Sequence, residues 1–400
     1  MNRKKAHCIL SLNSGSSSLK FALYCMGSDE KLLFSGIISD INLTTNNFLV
    51  KDGNGQALVN RSLNKLDHQD CIKELFDWLE SQGHLKQIDA IGHRIVHGGS
   101  KYTQPHLITS DLISDLDEFV MFAPEHLPQE IKVIKTIGKR CPNLKQIACF
   151  DTAFHHNMPR IARLYALPRS FYNEGAIRYG FHGLSYEYIT EKLKSENYNE
   201  FEKKRIIIAH LGNGASMAAV KDGKSVDTTM GFSPTGGMMM GTRSGDLDPG
   251  ILLYLINEKS LSPSQISQMV NHRSGLLGVS EISSNMRVLL EKEIDNHHAA
   301  EAVELFCYQA KKYLGSLVAV LGKLDMLIFT GGIGENSPSV RQRICKDMSF
   351  LGIKLDSICN NSNASVISSY DSLVIVRVMK TNEELMIARH TLRCVQEMGN

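Results

Sequence analysis

The segment that decides the fold is CILSL at residues 8–12, followed by the small-residue loop NSGSSS at residues 13–18 and by LKFALY at residues 19–24. Strand-like residues flank the loop on both sides, which predicts two strands joined by a hairpin turn. Glycine lets the backbone of such a turn approach another group closely, and successive N–H groups form a concave site for an anion. The segment therefore predicts a strand–loop–strand unit that binds an anionic group.

The same arrangement recurs about half the chain later. IIIA at residues 206–209 leads into HLGNGAS at residues 210–216, and MAAV follows at residues 217–220. Two such hairpins predict a duplicated domain whose halves bind a polyphosphate in the cleft between them.

The bulk composition limits the class of protein. The chain has 400 residues, more than one hydrophobic core normally serves, so two domains are expected. Its net charge of +2 gives no electrostatic reason to expect nucleic acid or an anionic membrane as a partner. The nine cysteines contain no Cys-x-x-Cys pair, and no run approaches the roughly 20 apolar residues of a membrane span. These features predict a cytoplasmic protein without a zinc cluster.

Two arginines have unusual surroundings. Arg94 lies in the apolar run 91–96, where a guanidinium is costly unless it meets an anion. The alternative is an internal pair with a carboxylate of the protein. Arg243 lies among small residues in GTRSG at residues 241–245, a loop that an anion can approach closely. The alternative there is a surface arginine in a flexible turn.

Three further features are candidates for a site. Asp151 directly follows the predicted strand 145–150, and open α/β folds place reacting groups at the ends of parallel strands. The alternative for Asp151 is a helix N-cap. His182 lies between aromatic and glycine residues in RYGFHG at residues 178–183, with a satisfied core histidine as the alternative. TGGIGEN at residues 330–336 is a glycine-rich strand-to-helix junction, which is a weak nucleotide signal and does not match a P-loop.

Together these segments resemble the acetate kinases, short-chain acyl kinases within the actin, hexokinase and Hsp70 superfamily. The matches follow the family's order from residue 13 to residue 384, and the block MGTRSGD at residues 240–246 is highly specific. The matching segments are 13–21, 93–99, 150–155, 178–183, 210–214, 239–246, 331–336 and 381–384.

The resemblance implies an α/β fold, a duplicated actin-like (ribonuclease H-like) architecture of two domains with a nucleotide cleft between them. We expect residues 1–152 and 386–400 to form the N-terminal domain, including the C-terminal helix. Residues 153–385 are expected to form the second domain, which carries most of the nucleotide site. Each domain is expected to contain a mixed five-stranded sheet.

The resemblance also implies catalytic and acyl-binding residues. The expected catalytic residues are Asp151, His182, Arg243 and Arg94. The two arginines are expected to hold the carboxylate and the transferring phosphoryl group, while the histidine hydrogen-bonds that group's equatorial oxygens and the aspartate is the catalytic acidic residue. The expected substrate-binding residues are Arg94, Val96, Phe181 and Pro234.

Nucleotide and metal sites follow from the same resemblance. Lys20 is expected beside the nucleotide phosphates, and the second phosphate loop is His210, Leu211, Gly212, Asn213 and Gly214. The adenosine is expected to be bordered by Asn285, Met286, Arg287, Gly332, Ile333, Gly334, Glu335 and Asn336. Asn13 and Glu383 are expected to hold Mg²⁺, for which Mn²⁺ can substitute.

The implied reaction is reversible, Mg²⁺-dependent phosphoryl transfer between ATP and acetate, giving ADP and acetyl phosphate by in-line attack of the carboxylate. One alternative is a propionate-preferring acyl kinase. Another is an actin- or Hsp70-like nucleotide-binding protein without phosphotransfer, which the two arginines oppose because such a protein needs no carboxylate site. A homodimer is implied by the family alone.

Three positions depart from the family's usual pattern. Asn285 stands where many relatives have Asp, and Gly236 stands in place of an acidic residue. Glu125 stands where a leucine commonly borders the acyl pocket. A carboxylate there would repel an anionic substrate unless it is paired, so the acyl preference stays open between acetate and propionate.

Overall fold

The structure, a computed structural model, describes residues 6–15, 17–41, 43–196 and 203–398. Ser16 of the first small-residue loop and residues 1–5 and 399–400 of the predicted N-terminal domain therefore lie outside the described residues. The strands are β1 (His7–Ser14), β2 (Ser18–Met26), β3 (Glu30–Ser39), β4 (Thr45–Asp52), β5 (Ala57–Asn64), β6 (Ala90–Ile95), β7 (His106–Leu107), β8 (Lys145–Phe150), β9 (Arg205–Leu211), β10 (Ala215–Lys221), β11 (Lys224–Thr228), β12 (Met326–Thr330) and β13 (Ile375–Val378). The helices are α1 (His68–Ser81), α2 (Ser110–Phe119), α3 (Leu127–Arg140), α4 (Arg160–Arg163), α5 (Arg169–Asn173), α6 (Gly183–Ser195), α7 (Pro249–Asn257), α8 (Pro263–His272), α9 (Gly275–Ser280), α10 (Met286–Lys292), α11 (His297–Leu321), α12 (Gly331–Asn336), α13 (Pro338–Cys345), α14 (Ser357–Asn361) and α15 (Glu383–Glu397).

The chain divides into two compact units. The first comprises Met1–Ala153 and Asn382–Asn400, and the second comprises Phe154–Thr381. Ala153 and residues 382–385, which the sequence prediction gave to the second domain, belong to the first unit. For residues 382–385 a helix cap explains the difference. The reason is local, because the Asn382 side chain accepts the N–H of Leu385 and so begins α15.

The first unit is built on a sheet with the strand order β5-β4-β3-β2-β1-β6-β8-β7. The predicted hairpin is confirmed, since β1 and β2 pair antiparallel with Asn13 opposite Lys20. The N–H of Gly15 donates to the carbonyl of Ser18 at 2.8 Å within the turn. β6 runs parallel to both β1 and β8, so the carboxyl ends of these three strands lie at one edge of the sheet.

The expectation of a five-stranded sheet is wrong for this unit, whose sheet has eight strands. β4 and β5 continue the antiparallel meander beyond β3, and the two-residue β7 adds to the opposite edge. Side chains of β4 alternate between buried and partly exposed positions, as in a strand with one solvated face. The extension consists of segments that are adjacent in the chain and pair antiparallel, and neither of the two small-residue loops lies in them.

Helices cover both faces of the first sheet. α15 packs on one face, where Ala388 joins the cluster of Ile9 and Ala90. α1 and α3 cover the opposite face, which carries Leu10. Gly92 permits the close approach of α15, because a Cβ at this position would clash with the side chain of Ile387.

The second unit contains a five-stranded sheet with the order β11-β10-β9-β12-β13. β9 and β10 form the second predicted hairpin, and β12 runs parallel to both β9 and β13. The strands β3-β2-β1-β6-β8 of the first unit have the same order and directions. The duplication inferred from the two loops is thus confirmed in the strand topology.

Buried strands form the centre of the second unit. Ile206 and Ile208 of β9 pack with Tyr186 and Ile189 of α6. The long helix α11 packs on β9 and β10. Within the described part of the chain, none of the helices combines the length and the apolar character needed to cross a membrane.

Candidate active site

The first unit brings Arg94 and Asp151 together. Arg94 lies near the end of β6 and Asp151 directly follows the adjacent parallel strand β8, so their side chains meet at the shared edge of the sheet. Nε and Nη2 of the arginine both donate to Oδ2 of the aspartate, at 3.0 and 2.5 Å. Burial alone would lower the pKa of the guanidinium, but the carboxylates of Asp151 and Glu383 outweigh burial and raise it.

This geometry decides two of the alternatives raised by the sequence. The internal ion pair foreseen for Arg94 is present, and no hydrogen bond from Nη1 of Arg94 is found among the described residues. The guanidinium can therefore be paired and still offer donors to a bound anion. The N-cap alternative for Asp151 is wrong, since the following 3₁₀ helix begins at Ala153 and the next α-helix at Arg160, so Asp151 directly precedes neither.

Glu130 is a buried carboxyl near this pair that the motif search missed. Its Oε2 accepts the N–H of Val96 at 3.1 Å, and its Oε1 has no hydrogen-bond partner among the described residues. Burial raises the pKa of Glu130 to about 8, although the charge of Arg94 opposes the shift. The sequence held a signal, because Glu130 occurs on the apolar stripe of α3 between Leu127 and Ile134.

Asn13 and Glu383 also meet within the first unit. Asn13 ends β1, and its Nδ2 donates to Oε2 of Glu383 at 2.8 Å and to Oε1 of Glu384 at 3.3 Å. Burial raises the pKa of Glu384, and the neighbouring charge of Glu383 raises it further. Lys20, opposite Asn13 in the hairpin, is exposed.

These oxygen-bearing side chains fit a hard cation such as Mg²⁺. Across residues 6–15, 17–41, 43–196 and 203–398, no group of three or more His, Cys, Asp and Glu side chains could hold a metal ion. A magnesium site of one or two protein oxygen ligands needs no such group, because Mg²⁺ keeps several waters and commonly binds substrate phosphates as well.

In the second unit, the loop of the β9–β10 hairpin lies against three other predicted residues. The N–H of Gly212 donates to the carbonyl of Gly214 at 3.0 Å. A Cβ placed on Gly214 would lie 3.0 Å from Nε2 of His182 and 3.7 Å from Nη1 of Arg243. A Cβ placed on Gly212 would lie 3.8 Å from the backbone nitrogen of Gly332. The structure thus gathers the phosphate loop, a histidine, an arginine and the glycine-rich junction.

Arg243 is fixed by its own loop. Its Nη1 donates to the carbonyl of Pro234 at 3.0 Å, and its carbonyl accepts the N–H of Met240 at 3.0 Å. The side chain is half-buried, so the alternative of a surface arginine in a flexible turn is wrong. A cation held in this way can meet an anion with little loss of side-chain entropy.

His182 occupies a left-handed backbone conformation, with φ of 59°, immediately before α6. Its Nδ1 lies 2.8 Å from Oγ of Ser216, and its ring stacks on that of His210 with centroids 4.4 Å apart. His210 in turn contacts Oγ of Ser185 through Nδ1 at 2.8 Å. The two imidazoles are therefore each held on one side by a serine. His182 is only half-buried and its Nε2 lies beside Gly214, so it is not enclosed as a core histidine would be.

The residues expected at the adenosine have mixed surroundings. Gly332–Asn336 form most of α12, directly after β12, and the Glu335 carboxylate accepts N–H bonds from Gly331 and Thr381. Glu335 therefore braces the junction through its side chain. Asn285 caps α10 by accepting the N–H of Arg287. Met286, which follows Asn285, is buried. At the glycine-rich junction, Gly332 is exposed and Ile333 is half-buried. In the phosphate loop, Leu211 is buried and Asn213 is exposed.

Arg341 is a second residue that the sequence argument missed. It is fully buried and its Nη1 donates to the carbonyls of Gly334 and Glu335, while Nε donates to Oδ1 of Asn360. Burial lowers the pKa of this guanidinium to about 10. Its role in the structure is to hold the end of α12.

The three apolar residues expected around the acyl group belong to different units. Val96 lies in the first unit, and Phe181 and Pro234 lie in the second. All three side chains are buried. Glu125 is half-buried and precedes α3.

Comparisons with known proteins extend along nearly the whole chain. The model of the Acetokinase family matches residues 8–389. The acetate kinase of Rhodopseudomonas palustris (strain TIE-1) is 44% identical over 391 residues, which cover 96% of this chain and 98% of the relative. The crystal structure of Porphyromonas gingivalis acetate kinase has a TM-score of 0.85 at 38% identity, covering 97% of this chain and 100% of that chain. A propionate kinase from Francisella tularensis subsp. tularensis SCHU S4 has a TM-score of 0.89 at 36% identity, covering 97% and 99%. These similarities confirm the expected duplicated actin-like fold.

Proposed function

Since the chain belongs to the acetokinase family and is therefore an ATP-dependent kinase of the acetate kinase type, we propose that it catalyses reversible, Mg²⁺-dependent phosphoryl transfer between ATP and acetate. The products are ADP and acetyl phosphate. A carboxylate oxygen of acetate attacks the γ-phosphorus of ATP in line and forms a new oxygen–phosphorus bond. The bond between the γ-phosphorus and the oxygen that bridges it to the β-phosphate breaks, and its electron pair leaves on ADP.

The observation that carries this proposal is the cluster in the second unit. Nε2 of His182 and Nη1 of Arg243 both face the backbone of Gly214. This arrangement offers a side-chain donor and a fixed cation to phosphoryl oxygens beside a glycine loop. Because acetate is already ionised at neutral pH, the reaction needs no strong base, and alignment and charge neutralisation account for catalysis.

The first unit supplies the groups proposed for the carboxylate and the metal. Arg94, oriented by its bond to Asp151, would bind an anionic oxygen of acetate or of the transferring group. Asn13 and Glu383 would hold Mg²⁺ together with the nucleotide phosphates. The bound ion would supply charge neutralisation at those phosphates. We assign most of the nucleotide site to the second unit, with Lys20 of the first beside the phosphates.

A propionate preference is the second candidate function. It is favoured by the similarity to the propionate kinase of Francisella tularensis. One methylene in an apolar pocket changes discrimination by only about 10- to 200-fold, so closely related enzymes can differ in preference. We propose acetate first, because Phe181 and Pro234 of the second unit, two of the residues expected at the acyl group, are buried and a larger acid would have to displace them.

We further propose a homodimer in the cytoplasm. The helix α7 has no buried residue although its sequence is PGILLYLIN, and four of its apolar side chains are 45–59% exposed: Ile251, Leu253, Tyr254 and Ile256. A helix that is apolar all round is normally covered, and a second copy of this chain would cover it. The nine cysteines are free thiols, as is usual in a reducing compartment.

The decisive experiment measures ATP-dependent formation of acyl hydroxamate from acetate and hydroxylamine with the purified protein. An acetyl phosphate intermediate gives hydroxamate, whereas an actin- or Hsp70-like ATPase releases phosphate without it. Repeating the assay with propionate and comparing kcat/KM separates the two acyl preferences. Absence of hydroxamate with either acid, in the presence of Mg²⁺ and ATP, would overturn the proposal.

A further inference from the structure

A chain of three hydrogen-bonding side chains ends at His182. Nδ1 of His182 lies 2.8 Å from Oγ of Ser216, and the same Oγ is hydrogen-bonded to the hydroxyl of Tyr186. Ser216 and Tyr186 are fully buried. The side of the imidazole that faces away from the Gly214 loop is therefore tied to the protein interior.

The fold explains how these residues meet. Tyr186 lies four residues after His182, which places both on the same side of the first turn of α6. Ser216 lies on β10, directly opposite His210 in the antiparallel ladder. The ring of Tyr186 packs in the core with Ile189 and leaves its hydroxyl beside the strand.

The direction of the hydrogen bonds follows from the chemistry of the three groups. Among the described residues, Oγ of Ser216 has no hydrogen-bond partner besides His182 and Tyr186. Its single proton is therefore donated to one of these two groups, and it accepts from the other. A phenol is the more acidic hydroxyl, and its oxygen is a poor acceptor because its lone pair is shared with the ring. Tyr186 therefore donates to Ser216, and Ser216 donates to Nδ1 of His182. A neutral imidazole that accepts at Nδ1 carries its proton on Nε2.

We propose that Tyr186 and Ser216 are positioning residues, which hold His182 as the Nε2–H tautomer so that it presents a hydrogen-bond donor toward the Gly214 loop. This inference rests on the role proposed for His182 toward the transferring phosphoryl group. In the other tautomer, Nε2 would present a lone pair to phosphoryl oxygens and repel them. The pair thus adds orientation and the correct proton position without touching the substrate.

The imidazole ring of His210 further restricts the orientation of the His182 ring. The His210 ring lies 4.4 Å from that of His182 with an angle of 20° between the planes. Ser185, on the same helix as Tyr186, contacts Nδ1 of His210. Rotation of the His182 ring would have to break both the stack and the bond to Ser216.

Two variants remove parts of this chain with little change of shape. Tyr186→Phe removes only the phenol hydroxyl, and Ser216→Ala removes both hydrogen bonds of the serine. Thr190→Val is the matched control, because it removes another buried hydroxyl from α6, one that donates to the Tyr186 carbonyl. Circular dichroism and thermal unfolding establish that each variant is folded before it is compared.

Two quantities are measured for each variant: the tautomer of His182 and the steady-state kinetic constants. Two-bond ¹H–¹⁵N spectra of protein labelled at histidine distinguish the tautomers, and His182→Gln identifies the His182 signals. We expect the Nε2–H form in the unmodified protein and an added Nδ1–H population in Tyr186→Phe and Ser216→Ala. We expect kcat to fall roughly two- to tenfold in each, as for loss of one neutral hydrogen bond, with the KM for ATP and acetate almost unchanged. Thr190→Val should change neither readout.

The outcomes separate the inference from its premise. A fall in kcat without a change of tautomer would show a merely structural role and overturn the inference, as would a changed tautomer with unchanged kcat. An Nδ1–H form in the unmodified protein would also overturn it. If the unmodified protein makes no acyl hydroxamate, the proposed function fails, while the spectra still decide whether Tyr186 and Ser216 set the tautomer of His182.

Discussion

Replacing Glu130 with glutamine should change how the stability of the first unit depends on pH. The carboxyl of Glu130 is buried at the start of α3, and burial raises its pKa to about 8. A protonated glutamic acid accepts the N–H of Val96 through one oxygen and carries a proton on the other. Glutamine keeps this acceptor and a donor in nearly the same shape, but it cannot ionise.

The magnitude follows from proton linkage. In the unfolded chain a glutamate has a pKa of about 4.3, so between pH 6 and pH 8 it is ionised while the native carboxyl keeps its proton. The native state then binds more protons than the unfolded state, so the free energy of unfolding falls as pH rises. The slope is about 1.36 kcal/mol per pH unit, or roughly 2–3 kcal/mol between pH 6 and pH 8. The loss levels off once the native carboxyl ionises, above about pH 8.

The assay can be confined to the first unit. Trp78 is the only tryptophan of the sequence and is buried in the core of this unit, so its fluorescence follows the unfolding of the unit that holds Glu130. Urea unfolding of the unmodified protein and of Glu130→Gln is measured at pH 6, 7, 8 and 9. Glu118→Gln, a change at an exposed glutamate of α2, is the control.

We expect Glu130→Gln to gain roughly 2–3 kcal/mol over the unmodified protein between pH 6 and pH 8, while Glu118→Gln keeps the original slope. Equal slopes for the unmodified protein and Glu130→Gln would refute the reasoning. Equal slopes together with a loss of stability in Glu130→Gln that is the same at every pH would show that Glu130 is ionised in the folded protein and stabilised by Arg94.

Three other changes test the proposed site and assembly. Arg243→Ala or Arg94→Ala should lower kcat/KM in the hydroxamate assay by roughly 10²–10³-fold with the fold retained; for Arg94→Ala, unfolding with little specific loss of activity would show that its pair with Asp151 serves the fold alone. Glu125→Leu should change the KM for acetate only modestly, and a decrease of more than about tenfold would show that Glu125 faces the substrate. Leu253→Asp should convert a dimer into a monomer in light scattering, whereas Leu58→Asp, at an exposed leucine of β5, should not; a dimer that survives Leu253→Asp would remove α7 from the interface.

Local features of the chain were predictable from sequence because their causes are local. Both hairpins follow from apolar strands around a loop of small residues, and both are present. The family followed from the order and spacing of short motifs, a pattern that exists before any contact forms.

The candidate site was predictable as a set of residues but not as a set of contacts. Motifs identified Arg94 and Asp151, yet their pairing depends on the register of β6 against β8. Residues near catalytic groups but outside motifs were missed, as Glu130 and Tyr186 show. The role of such a residue depends on how deeply its side chain is buried and on which atom of the catalytic group it contacts.

The sequence by itself determined the duplicated hairpins and the family, because each depends on neighbouring residues or on the order of motifs. Only the tertiary structure decided that the first sheet extends to eight strands, that Glu130 is buried beside Arg94, and that Tyr186 and Ser216 reach His182. These features join segments far apart in the chain. Their energies depend on desolvation and on distances of about 3 Å, which strand register and helix packing set and local sequence does not.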